Sequence, residues 1–139
     1  MKSKRRSLLI RTDANSHIGT GHLMRCLALA QAWQSQGGEA VFVTECNSEG
    51  LLRRLSEEGF QVISIERPHP DPADWWLTSK VLAVYPGAWV VLDGYHFDSS
   101  YQLHIKEAEH PLLVIDDKAH LDHYYADVVL NQNIHAGQM

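Results

Sequence analysis

Ser7-Leu8-Leu9-Ile10-Arg11-Thr12 runs into Asp13-Ala14-Asn15-Ser16-His17-Ile18-Gly19-Thr20-Gly21-His22 and then into Leu23-Met24-Arg25-Cys26-Leu27-Ala28-Leu29-Ala30. The reading of these three joined segments decides the fold. The first is a short aliphatic run with no strict alternation, as expected of a strand covered on both faces. The second is polar and carries two glycines. The third has apolar residues at helical spacing, with Leu23, Leu27 and Ala30, and nearby Met24 and Ala28, on one broad face; Gly37-Gly38 closes the helix after Gln36. Strand, glycine loop and helix form the first unit of a parallel α/β sheet.

The same unit recurs along the chain. Strands are expected at 40–44 (AVFVT), 60–65 (FQVISI), 88–93 (AWVVLD), 111–116 (PLLVID) and 127–130 (DVVL). The runs at 7–12, 40–44 and 60–65 read as buried. Helices are expected at 22–36, at 48–58 with Leu51, Leu52 and Leu55 inward, at 73–85 with Trp76, Leu77, Val81 and Val84 at helical spacing, and at 99–109 behind a cap at Asp98 or Ser99. Strict alternation of strand and helix predicts an α/β fold: an open parallel Rossmann-like sheet with helices on both faces and right-handed crossovers. The proline-rich stretch 66–72 (ERPHPDP) is expected to be a surface loop, and its His69-Pro70-Asp71 tripeptide a chance match to the J-domain motif, since a J-domain is all helix. There is no internal repeat.

Size and composition agree with one such unit. The 139 residues are 45% hydrophobic and 21% charged, ordinary values for a globular chain. Twelve Lys and Arg against 17 Asp and Glu give a net charge of -5, a poor match to nucleic acid or an anionic membrane. The basic cluster Lys2, Lys4, Arg5 and Arg6 is followed by too short an apolar run for a signal peptide. Two cysteines, Cys26 and Cys46, make no disulfide framework. The expected location is the cytoplasm.

Ligands of open parallel sheets bind beyond the carboxyl ends of the strands. Four of those ends are crowded with polar groups: 13–22, 93–98, 116–118 and 131–133. In Gly19-Thr20-Gly21-His22 the glycines permit close backbone approach, and the following helix aims its free N–H groups at the loop. The dinucleotide fingerprint is incomplete, because Met24 stands where a third glycine belongs, although Glu45 sits where a ribose-binding acid would. No Gly-Lys-Ser/Thr is present, which excludes a P-loop. His22 falls in the first helical turn, where the dipole disfavours imidazolium and leaves a ring able to accept a proton. It serves either as a general base or as a hydrogen-bonding member of the loop. Arg25 either holds an acidic group or is solvated. Tyr95 either lies over a sugar or base or covers the sheet end. Asp116, Asp117, His120 and His123, and separately His17 and His22, are close in sequence, but no His-Glu-x-x-His or Cys-x-x-Cys pattern occurs, and no metal or other cofactor is expected.

The ordered combination is specific. Arg-x-Asp-Ala-Asn followed by Ile18-Gly19-Thr20-Gly21-His22-Leu23-Met24-Arg25-Cys26 resembles the start of the UDP-sugar hydrolases of pseudaminic acid biosynthesis and their spore-coat polysaccharide relatives. Leu92-Asp93-Gly94-Tyr95-His96-Phe97-Asp98, Ile115-Asp116-Asp117, Tyr125-Ala126-Asp127 and Leu130-Asn131-Gln132-Asn133 look like later blocks of that family. The resemblance implies a two-lobed GT-B architecture and release of UDP from UDP-2,4-diacetamido-2,4,6-trideoxy-β-L-altropyranose by water attack at the anomeric carbon. It implies that His22 activates the water, that Asp13, Gly19, Gly21 and Arg25 shape the loop, and that Tyr95, Asp116 and Asp117 line the sugar side. It further implies that 1–139 is a single Rossmann-like N-terminal lobe, and that the C-terminal UDP-binding lobe is absent from it. The expected partners are a UDP-linked deoxyaminosugar and a second lobe or homodimer. Two other readings are open: the acceptor lobe of a GT-B glycosyltransferase, and a non-catalytic module that binds a sugar or a partner.

Overall fold

Strand order explains where the chemistry can gather. In the computed structural model, which describes residues 6–15, 19–116, 121 and 123–130, six strands form one sheet in the order β3-β2-β1-β4-β5-β6. The elements in chain order are β1 Ser7–Thr12, α1 Gly21–Ser35, β2 Glu39–Thr44, α2 Glu49–Glu57, β3 Gln61–Ser64, α3 Pro72–Val84, β4 Trp89–Asp93, α4 Ser99–Glu107, β5 Leu112–Ile115 and β6 Val128–Leu130. Every neighbouring pair is parallel. This is the Rossmann order, and its direction reverses between β1 and β4.

The two faces of the sheet are covered by different helices. Leu8, Ile10, Ala40 and Phe42 point to one side and join Leu23, Cys26, Leu27 and Ala30 of α1 and Leu55 of α2. Leu9, Val41, Val43, Val90 and Leu92 point to the other and join Val81 and Leu82 of α3 and Ile105 of α4. A strand covered on both sides has no solvent face, so Leu8, Leu9 and Ile10 of β1 are successive apolar residues before Arg11. Arg11 is itself fully buried. The change of helix face at the reversal is what a single crossover hand requires.

Local signals set the helix boundaries. Asp71 caps α3 by accepting from Ala73 N, with Pro72 in the first turn. The tripeptide His69-Pro70-Asp71 thus starts a helix here, with His69 against Phe97 and Tyr101. Asp98 caps α4 through Tyr101 N, and Ser48 caps α2 through Leu51 N. Thr20, at the start of α1, makes no side-chain cap.

Three expectations need correction. Trp76 and Val84 are exposed, and α3 buries Asp74, Thr78, Val81 and Leu82 instead. The helix is turned so that Asp74 meets Arg11, and Trp76 carries the Lys80 ammonium over its ring at 4.6 Å. On α1 the buried face is narrower than expected, with Met24 and Ala28 outward and Cys26 inward. The third strand is a sheet edge rather than a buried strand, with Gln61 and Ser64 exposed. Among the described residues no helix is long and apolar enough to cross a membrane.

Candidate active site at the reversal of strand order

Thr12 of β1 and Asp93 of β4 are register partners, so Asp13 and Asp93 emerge side by side at the carboxyl edge. Both carboxylates are fully buried. Each is bound by one histidine and one arginine.

At Asp93, the guanidinium of Arg25 forks onto both oxygens, Nε to Oδ2 at 2.6 Å and Nη2 to Oδ1 at 2.7 Å. His22 Nδ1 lies 2.7 Å from Oδ1. Burial opposes the charge on Asp93, but the hydrogen bonds from Arg25 and His22 outweigh it and hold the carboxyl below its ordinary range. An ionised carboxylate only accepts, so the hydrogen between it and His22 sits on Nδ1. The 3.1 Å between Arg25 Nη2 and His22 Nδ1 follows from their sharing Oδ1 as acceptor. In the neutral ring this tautomer places the lone pair on His22 Nε2. The His22 side chain is 12% exposed and that of Arg25 19%. Tyr95 completes this group, its ring edge-on to His22 with centroids 5.1 Å apart. Cys26 lies against the same carboxylate at 3.5 Å; burial and the Asp93 charge push its thiol well up, which makes it inert.

At Asp13 the company is different. Arg11 binds both its oxygens, Glu45 N donates to Oδ1 at 2.7 Å, and His96 Nε2 lies 2.7 Å from Oδ2. Arg11 is held on its other side by Asp74, with Nε to Oδ1 at 3.1 Å and Nη2 to Oδ2 at 2.5 Å. Asp74 also accepts from Tyr101 Oη at 2.6 Å, Thr78 Oγ1 at 3.1 Å and His69 N at 2.6 Å. Burial works against the charge of both aspartates. The His96 hydrogen bond and Arg11 win at Asp13, and Arg11 wins at Asp74, so both stay ionised below the usual carboxylate range.

The remaining sequence-predicted residues fall as follows. Gly19 has φ +81°, a conformation that disfavours side chains, and a Cβ there would meet nothing within 4 Å. Gly21 is the first residue of α1 and is exposed, with open space where a Cβ would stand. The structure therefore brings His22, Arg25 and Tyr95 together around Asp93, with Gly19 and Gly21 beside them and Asp13 one strand away. Asp116 is one strand away on the other side, buried at the end of β5, where it accepts from Tyr124 Oη. Asp117 lies outside the described residues, as do His17, His120 and the 131–133 block. No group of three or more His, Cys, Asp or Glu among the described residues is arranged to hold a metal ion.

Sequence reasoning did not pair Asp93 with His22 or Asp74 with Arg11, and gave His96 no role of its own. A charged residue in an otherwise aliphatic central strand, and an aspartate in the apolar stretch Ala73 to Leu77, were the available signals.

No family model matches the chain. The chain is similar to the uncharacterized protein MJ1062 of Methanocaldococcus jannaschii, at 26% identity over 125 residues, 89% of this chain and 24% of that protein. Among solved structures it is similar to a glycosyltransferase from Rickettsia africae, with TM-score 0.63, 13% identity, and 82% of this chain on 30% of that one. It is also similar to MurG of Acinetobacter baumannii, with TM-score 0.56, 16% identity, and 82% on 35%. The feature shared with both structural neighbours is the Rossmann-like sheet. The chain spans about a quarter of the length of the curated relative and about a third of the solved chains.

Proposed function

We propose that this chain is the N-terminal catalytic lobe of an enzyme acting on a nucleotide-activated sugar, with His22 as general base. The observation that carries the reading is the Asp93–His22 pair beside the first turn of α1. A buried, ionised carboxylate fixes the Nδ1–H tautomer and turns Nε2 outward as a proton acceptor, the arrangement a general base needs. Arg25 belongs to this machinery as the clamp on Asp93.

The specific reading is a UDP-sugar hydrolase of the pseudaminic acid type. Water attacks the anomeric carbon and gives its proton to His22 Nε2. The carbon–oxygen bond to phosphate breaks, and UDP leaves with the electron pair. The open glycine approach at Gly19 and Gly21 and the N–H groups of α1 suit an oxygen-rich ligand. Tyr95 supplies an apolar ring edge next to the base. A second lobe, from further chain or a second copy, would hold most of the UDP and exclude water.

The test is titration of the isotope-labelled chain with UDP-2,4-diacetamido-2,4,6-trideoxy-β-L-altropyranose, following backbone amides and phosphorus together. Shifts at Gly19 to Arg25, with any UDP release abolished by His22→Ala, are expected. A wild-type chain whose amides ignore the sugar nucleotide sinks the reading. The likeness to glycosyltransferases favours one alternative, in which His22 deprotonates an acceptor hydroxyl instead of water. Transfer to an added acceptor that outpaces hydrolysis would select it.

A further inference from the structure

We propose that His96 is a second ligand-contacting imidazole of this cleft, offering Nδ1 as an acceptor to a hydroxyl or amide N–H of the bound sugar; the assignment rests on the proposed function. Its geometry is the counterpart of His22 with the ring reversed. Asp13 is ionised, so the hydrogen in the 2.7 Å contact sits on His96 Nε2. Asp13 cannot swing to follow a moving ring, because Arg11 and Glu45 N occupy its oxygens and Asp74 locks Arg11. His96 is therefore anchored to a fully enclosed network at one edge.

The His96 side chain is 22% exposed, and Nδ1 has no hydrogen-bond partner among the described residues. The ring lies over Gly94, between Asp93, which anchors His22, and Tyr95, which touches it. A Cβ at Gly94 would sit 2.7 Å from His96 Cε1 and 3.0 Å from Nδ1, so only glycine lets the imidazole rest there. Phe97 backs the ring with centroids 4.0 Å apart. A histidine needed only to satisfy Asp13 would have no use for an accessible second nitrogen beside the base.

The experiment uses the chain labelled with nitrogen-15 histidine, long-range proton–nitrogen spectra, and the same UDP-diacetamido sugar as probe. The free protein is expected to show protonated Nε2 at His96. Saturation with the probe should move His96 Nδ1, and His96→Ala should weaken binding about tenfold, the loss of one good hydrogen bond. Gly94→Ala keeps the imidazole but displaces it; it should weaken binding similarly, and it decides the matter if His96→Ala fails to fold. Probe binding that shifts Gly19 to Arg25, with His96 Nδ1 unmoved and both variants binding as wild type, overturns this assignment alone. No response anywhere in the wild-type chain removes the proposed function and this assignment with it.

Discussion

Two buried aspartates end neighbouring strands, and each holds one histidine and one arginine, yet the two groups differ in depth. Arg11, on Asp13, is completely enclosed and is balanced by Asp74 on its far side. Arg25, on Asp93, comes from the first turns of α1 and is partly exposed, as is His22. The same three chemical groups thus enclose the arginine at β1 and leave it partly exposed at β4. The difference lies in what stands behind the arginine. A second carboxylate with Tyr101 and Thr78 holds Arg11 in the interior, whereas Arg25 stays partly exposed.

The largest effect should come from breaking the enclosed group. Asp74→Ala leaves Arg11 with one carboxylate in a fully buried site and should cost about 3–5 kcal/mol in urea unfolding. Retention of wild-type stability would show that Arg11 reaches solvent. Asp93→Asn is the matching change at the edge. It should cost less stability, because Arg25 and His22 can rehydrate, yet lower turnover of any preparation that cleaves the sugar nucleotide about 10²–10⁴-fold. A variant with equal activity would make Asp93 an anchor like Asp13.

Acid should separate the groups further. Asp13, Asp74 and Asp93 all titrate below the ordinary 3.8 in the folded protein. A depressed folded value means that their stabilisation is complete above the unfolded value. It is lost as pH falls through the folded one. Circular dichroism should show a steep acid transition below about pH 4. Asp93→Asn should take up fewer protons across it; an unchanged slope would mean Asp93 is not linked to folding. The smallest effect expected lies outside both groups. Asp98→Ala removes the cap of α4 and should cost about 1 kcal/mol, read as a lower urea midpoint.

Much of the architecture was legible because periodicity and glycine punctuation are local. All six strands and four helices lie where the sequence placed them, with ends differing by a residue or two. What was not legible depends on strand order, which no local pattern encodes. Asp93 reads as the end of an aliphatic run until β4 is known to lie beside β1. Arg25 reads either as a clamp on an acidic group or as a solvated arginine until the same fact aims it at Asp93. Trp76 falls on the apolar face by spacing, but Asp74, which meets Arg11, is inside and Trp76 is outside. Gly19, Gly21 and His22 were visible because a glycine loop before a helix is a short-range signal.

The pairing of Thr12 with Asp93 also has a temporal side. Thr12 Oγ1 donates to Asp93 O across 81 positions of sequence, and His22 meets its carboxylate across 71. Loops that long close late and at an entropic cost. A chain emerging from synthesis can complete β1, α1 and β2 while His22 still has no carboxylate to orient it. Under the proposed function, His22 gains its orienting carboxylate only when the crossing through α3 delivers β4, so opening that strand pair alone would disarm the base.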